Sequence, residues 1–321
     1  MKTYIFSGKR THIAVLLVLF AIPSICLSQT VAQKQRQFDF WLGEWGVNLR
    51  VRQKDFSWKD QHKSTARIYS ILDGKAVFEL WSENERGING YSLRYYNKKT
   101  GKWDLWLNWA GNNRSATSGM ECVFRHKRAE CFSKRKIDET TSLISRYTFS
   151  DGHPDSVRWD DAYSRDGGKT WSNNWIMEFS RTKKTAPGFD TTPQLLTYFN
   201  GNRCNAPQFA PVKRLVDNHK NNSEFKLYKI LDGCIAAGFI DGKKRKAFFT
   251  FTYNTFRKAY EFGYLDGKES SAFSLYYGNK TGNGFELQTA NKKPAKASMK
   301  IGQKTTSIDL RYDGKKVKIR F

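Results

Sequence analysis

Asp160-Asp161 is the one acidic doublet within a strand-like segment, and it is the natural place to look for acid–base chemistry. Glycoside hydrolysis needs two carboxylates about 5–10 Å apart across a cleft. Neighbouring residues on a strand point to opposite faces, so this doublet by itself does not make such a pair. No Gly-x-Ser-x-Gly elbow is present to activate a serine. The glycine-rich stretch Gly278–Gly284 lacks the Gly-Lys-Ser/Thr ending of a phosphate-cradling loop. His62, His126, His153 and His219 stand singly beside turn residues or charges. They form no ligand set with Cys122, Cys131, Cys204 or Cys234, and no Cys-x-x-Cys occurs, so no metal site is expected. The chain therefore leans away from catalysis.

What could bind rather than react is aromatic. All ten tryptophans lie between Trp41 and Trp175, and the chain beyond has none. In Trp103–Trp109, alternation puts Trp103, Leu105, Leu107 and Trp109 on one face and Asp104, Trp106 and Asn108 on the other. The wholly apolar face is expected to meet packed surroundings. The mixed face suits a polar-lined pocket that orients a ligand. Ser92 and Arg94 share a face on the preceding strand. Trp81, Ser92, Arg94, Trp106, Asn108 and Trp175 are the expected pocket lining, the alternative being that Trp106 lies on the outer wall against the second barrel.

The elements that must position them read as strands throughout. Short runs rich in Tyr, Phe, Trp, Val and Ile alternate with Asp-Gly or Asn-Gly turns at 73–74, 89–90, 151–152, 232–233, 241–242, 266–267 and 313–314. Even hairpin-sized spacing predicts an antiparallel meander, hence an all-β barrel or sandwich. The pattern occurs twice. Ile68-Tyr-Ser-Ile-Leu-Asp-Gly74 matches Leu227-Tyr-Lys-Ile-Leu-Asp-Gly233, and Tyr96-Asn97 matches Tyr253-Asn254, at offsets of 157 to 159 residues. A period this long indicates a duplicated domain rather than a solenoid. The expected organisation is a Trp-rich barrel over 35–184, a linker over 185–194 carrying Pro187 and Gly188, and a second, Trp-free barrel over 195–321.

Residues 1–28 carry Lys2, Lys9 and Arg10, then the apolar run Ile13–Ile22, then Pro23 and the small residues Cys26 and Ser28. This is the layout of a secretory signal peptide cleaved after Ser28. A ten-residue run falls short of the roughly 20 needed for a transmembrane helix. The mature chain is expected to be exported, periplasmic or secreted, with disulfides Cys122–Cys131 and Cys204–Cys234 formed within each half. The formal charge is +25. Removing residues 1–28 leaves 28 basic and 19 acidic side chains in 29–184, and 24 and 11 in 185–321. An excess spread over both halves suits a soluble basic protein, and also attraction to polyanions. The densest run, Lys243-Lys-Arg-Lys246, is expected at an exposed hairpin turn.

Phe38-Asp-Phe-Trp-Leu-Gly-Glu-Trp45 resembles the opening signature of an uncharacterised family of exported bacterial proteins. Ile71-Leu-Asp-Gly74, Gly90-Tyr-Ser-Leu-Arg-Tyr-Tyr96 with Gly101-Lys-Trp103, and Ser164-Arg-Asp-Gly-Gly-Lys-Thr-Trp171 strengthen the resemblance, which spans most of 38–181. That family resembles the calycin-like barrels, which include lipocalins and nitrobindin-like haem proteins. The resemblance implies two tandem calycin-like β-barrels. It also implies a closure in which Gly43 and Trp45 near the start meet Arg181 after the last strand, a cation–π contact worth about 0.5–2 kcal/mol. In the second half Gly201 matches Gly43, but Arg203 stands where Trp45 would. Haem does not carry over, because neither half offers a late-strand histidine, and no cofactor is expected. Two functions follow: an exported protein holding a small apolar or aromatic ligand in the first barrel, or a cell-envelope protein binding polyanions through its basic surface. Salt dependence separates them.

Overall fold

The computed structural model describes residues 29–83, 88–111, 113–184, 204–267, 272–282, 284–291, 293–303, 305–312 and 314–321. The expected signal peptide, the 185–194 linker, and Gly201 and Arg203 lie outside them. The fold is all-β, 64% strand against 7% helix, which excludes any helical layer as the core.

Ten antiparallel strands form a closed barrel: β1 (Gly43–Arg52), β2 (Trp58–Ile71), β3 (Ala76–Glu83), β4 (Ile88–Asn97), β5 (Lys102–Ala110), β6 (Thr117–Arg125), β7 (Arg128–Lys136), β8 (Ser142–His153), β9 (Ser156–Ser164) and β10 (Ser172–Lys183). Each pairs with its neighbour in sequence, and β1 pairs with β10 to close the ring. Closure leaves no free edge in this unit. The turn between β9 and β10 is the Ser164–Trp171 segment, where the Asp166 carboxylate accepts from the Lys169 and Thr170 amides and the Thr170 hydroxyl. These donors hold its pKa well below the usual carboxylate range. The motif is a folded hairpin tip.

The Phe38–Trp45 signature stoppers one end of the barrel. A short helix α1 (Val31–Lys34) and a 3-10 turn (Asp39–Trp41) carry Phe38 and Trp41 into the interior, both fully buried. Phe38 meets Trp103 and Phe124 edge-on at 4.8 Å, and Trp41 meets Phe179 at 4.4 Å. Arg181 lies with its guanidinium 4.0 Å over the Trp45 ring and donates to the Phe40 and Leu42 carbonyls. One side chain thus ties the last strand to the stopper by stacking and by hydrogen bonds.

The second unit begins with α2 (Ala210–Asp217). Nine antiparallel strands follow: β11 (Phe225–Ile230), β12 (Ile235–Asp241), β13 (Lys246–Asn254), β14 (Ala259–Asp266), β15 (Ser274–Thr281), β16 (Gly284–Thr289), β17 (Lys296–Ile301), β18 (Thr306–Tyr312) and β19 (Lys315–Arg320). They form one curled sheet in sequence order with β11 and β19 at its two edges. The two units share local structure at the repeated positions. Leu72-Asp73-Gly74 and Leu231-Asp232-Gly233 adopt the same left-handed run, with φ of 55°, 57° and 77° against 50°, 59° and 76°. Asn97 and Asn254 each accept from two following amides and donate to a buried acid, Asp104 and Glu261 respectively.

The units pack face to face. The outer face of β3 and β4 brings Phe78 and Tyr91 against the second sheet, where Phe78 meets Phe239 at 5.8 Å and Phe248 at 5.2 Å. Polar ties surround this contact. Asn89 Nδ2 donates to Asp232 (3.1 Å), Lys246 Nζ pairs with Asp73 (2.7 Å), and Ser115 and Thr252 share a hydroxyl hydrogen bond (2.8 Å). Strands β3 and β13 are consequently buried on both faces and read as nearly continuous apolar runs.

Both disulfides are present. Cys122–Cys131 joins directly opposed residues of β6 and β7, and Cys204–Cys234 joins the segment before α2 to the start of β12. Their sequence separations are 9 and 30 residues. Loop-closure entropy then makes the second the larger contributor, at about 3–4 kcal/mol against about 2–3 for the first. Serine pairs at each position, compared by urea unfolding, are expected to lose stability in that order.

Candidate functional site

The barrel interior holds a cavity with about 40 Å³ of free space. A water requires roughly 10–15 Å³ by this measure, so the space takes a few waters or one small group. Trp81, Trp109, Trp159, Tyr147, Phe149, Trp41, Leu105 and Leu107 supply an apolar wall. Three polar side chains enter it: Glu79 from β3, and Ser92 and Arg94 from β4. Their convergence follows from pleat and register. Val77, Glu79 and Trp81 alternate inward on β3, Ser92 and Arg94 do so on β4, and Glu79 lies directly across from Ser92. Gly90 permits the arrangement, because a Cβ there would stand 2.8 Å from the Trp109 ring.

The electrostatics centre on a buried ion pair. Arg94 Nη2 donates to Glu79 Oε2 at 2.9 Å, and Ser92 Oγ donates to the same oxygen at 2.6 Å. Arg94 is 3% exposed. Its guanidinium lies 5.0, 5.4 and 5.8 Å from the ring centres of Phe149, Phe38 and Trp41. Burial lowers its pKa and the Glu79 charge opposes that shift, but a guanidinium keeps its proton in proteins. At the cavity, four buried donors have no hydrogen-bond partner among the described residues: Arg94 Nε and Nη1, Trp41 Nε1 and Trp81 Nε1. An unmet buried donor costs about 1–3 kcal/mol. The site as built offers unmet N–H donors among aromatic rings.

The end of the barrel away from the stopper is walled by more tryptophan. Trp81, Trp109 and Trp175 lie 5.1–6.2 Å apart in all three pairings, and Trp159 is 6.5 Å from Trp175. Trp109 and Trp175 are half-buried here. Asp161 lies beside them and accepts from the Trp175 amide at 2.7 Å. Burial lifts its pKa from 3.8 to about 6, against the pull of that hydrogen bond. A carboxyl raised in the folded state favours folding below its unfolded pKa and forfeits that advantage as pH rises through the folded one. Stability is therefore expected to decline between pH 3.8 and about 6. Asp161→Asn should flatten that decline in urea midpoints measured across the window.

Of the expected pocket residues, Trp81, Ser92 and Arg94 meet at the cavity, and Trp175 stands among the tryptophans beside it. Trp106 and Asn108 do not join them. They occupy the outer face of β5, where Trp106 meets Phe273 at 5.6 Å and Asn108 Nδ2 donates to Ser115 at 3.0 Å. The apolar face of β5 lines the cavity instead, through Leu105, Leu107 and Trp109. The mixed polarity of the other face reflects a sheet-to-sheet contact with its own hydrogen bonds. Glu79 was not anticipated. Its signal is a lone charge in the apolar run Ala76–Trp81, on the same side of the strand as Trp81.

Among the described residues the second unit has no equivalent of this site. The repeat offsets carry Glu79 to Gly238, and Ser92 and Arg94 to Phe249 and Phe251. The Phe249 ring occupies the place a Gly238 side chain would take. Phe249, Phe251 and Phe262 fill the corresponding interior.

No family model matches this chain, and no curated protein matches it. Among the described residues no helix is long and apolar enough to cross a membrane.

Proposed function

We propose that this is an exported binding protein. Its first barrel holds a small, flat, mostly apolar molecule whose carbonyl or carboxylate oxygen alone enters the 40 Å³ space at Arg94, while its ring lies outward among the half-buried Trp109 and Trp175. The observation that carries this reading is the pair of unpartnered, buried Arg94 N–H groups at a tryptophan-lined cavity. Glu79 neutralises the guanidinium, so the occupant needs acceptor oxygens and no full counter-charge. Filling of the corresponding interior by phenylalanine supports assigning this role to the first unit alone. The repeated hairpins and asparagine turns support reading the second unit as a degenerate copy of the first, of calycin-like descent, kept as a packing partner. Cysteines paired within each half fit export.

Benzoate, benzamide and toluene test the reading by quenching of tryptophan fluorescence. Benzoate and benzamide are expected to saturate, and toluene to bind at least tenfold more weakly, since a hydrogen bond to a charged group is worth about 1.5–3 kcal/mol. Ser92→Ala should leave the fold intact and retain binding within a few-fold. Arg94→Lys should reduce the preference for benzamide over toluene. Equal affinity for toluene and benzamide, or no saturation by any of the three, overturns the assignment of Arg94. Native mass spectrometry of protein purified from its own host would then show the mass of a retained ligand directly.

A further inference from the structure

The second sheet is open where the first is closed, and its seam carries a groove of about 640 Å³ between the β12–β13 hairpin and the end of β19. One bank is Lys243, Lys244 and Arg245 from the hairpin tip, and the other is Lys318 and Arg320 from β19. Glu224 is the lone acid in the lining. We propose that this groove binds a linear phosphate-bearing chain, at a site separate from the barrel cavity and independent of the reading given for it.

Three observations point there. The first is how the basic run divides. Lys246 turns away and is neutralised by Asp73 and Asp241, each at 2.7 Å. Lys243, Lys244 and Arg245 face the groove, and none has an ion-pair partner among the described residues. The second is that the banks are tied together. Arg245 Nη1 donates to the Lys318 carbonyl at 3.2 Å, and Phe225 stacks on Phe321 at 4.1 Å beneath them. The cations therefore stand on a framed cleft and not on a loose tail. Lys318 has only a long contact to Asp309, at 3.8 Å.

The third is the floor, which narrows the class of partner. Phe225 and Ile319 are 7% and 6% exposed. Phe225 is the one ring among the described lining residues, and being buried it offers no open face on which a nucleobase would stack. Nor is there an exposed apolar face to enter a bilayer. What remains is charge, three cations on one bank and two on the other. Lysine and arginine in this arrangement match successive phosphates along a chain.

The test uses fluorescein-labelled inorganic polyphosphate and the full mature chain, read by anisotropy across a salt series. Flexible polyanions give a slope of about −0.7 in log K against log salt per phosphate neutralised, so five contacts predict about −3.5. K243Q/K244Q and K318Q/R320Q, one pair from each bank, are each expected to make the slope shallower by about 1.4. K134Q/K136Q removes the same charge from exposed positions on β7 and should leave slope and affinity unchanged. Equal losses in all three variants would mean diffuse attraction by net charge and would overturn the site. Losses confined to one bank would overturn the groove. Binding to phosphatidylglycerol vesicles that polyphosphate does not displace would assign the basic surface to membranes instead. Near-ultraviolet circular dichroism of each variant keeps unfolding distinct from lost binding.

Discussion

Glu79→Gln is expected to lower the unfolding free energy by about 3–5 kcal/mol, because it leaves the Arg94 charge buried without its counter-ion. The glutamine keeps an oxygen within reach of Ser92 and Arg94, so shape and hydrogen bonding change little. What goes is the opposite charge, in an interior where Arg94 is 3% exposed and its other neighbours are rings. Those rings attract the guanidinium by about 0.5–2 kcal/mol each at most, too little to replace a carboxylate 2.9 Å away. Removing both charges is a different experiment. Glu79→Leu with Arg94→Met exchanges the pair for apolar volume, and such exchanges are often neutral or stabilising. Urea unfolding of the two single variants and the double variant is therefore expected to give a coupling of several kcal/mol. The double variant should be at least as stable as Glu79→Gln while losing the benzamide preference. A double variant less stable than either single variant would show that the pair stabilises the barrel outright, and would remove the argument that it is retained for a ligand.

Phe248→Ala carries the other large effect. Phe248 is fully buried on the face of β13 that meets the barrel, with Phe78 at 5.2 Å, Phe239 at 5.1 Å and Phe273 at 6.4 Å. Truncating such a ring costs about 3–5 kcal/mol through lost transfer energy and the cavity left behind. The loss falls on the contact between the two units. A single cooperative transition is expected to separate into two, with tryptophan fluorescence following the first unit only, since every tryptophan lies there. Limited proteolysis should separate the two units sooner than in the parent chain. Trp106→Ala should weaken the same contact while leaving benzamide affinity unchanged, because its ring rests on Phe273 and not on the cavity. A loss of benzamide affinity in Trp106→Ala equal to that in Trp109→Ala would contradict this placement.

Much of the architecture was legible in the residues. Hairpin-spaced turns and β-rich runs specify an antiparallel meander because a period of 2 between tight turns has few other outcomes. Two pairs of cysteines, each within one half, led to the pairing observed. The offset repeat led to hairpins that share backbone angles at Leu72–Gly74 and Leu231–Gly233. The alternation on β4 and β5 grouped Ser92 with Arg94 and Trp106 with Asn108, but the two groups, expected together in one pocket, lie on opposite faces of the barrel wall.

Tertiary structure alone decided which face is the inside. A half-buried strand announces its core by polarity, but β3, β4 and β5 are covered on one side by the barrel interior and on the other by the second sheet. With both sides buried, an apolar face and a mixed face carry no label. The mixed face of β5 found its hydrogen bonds in Ser115 and Thr117 at the sheet contact. The apolar face became cavity wall, and the polar groups of the site came from β3 and β4 across the pleat. Closure was decided the same way. Arg181 reaches Trp45 across 136 residues of chain only once ten strands have come round to pair β10 with β1. In the second unit β19 does not pair with β11, which leaves the basic hairpin and β19 facing each other across a seam. Local pattern settles which residues share a face, whereas which faces meet depends on how far each sheet curls.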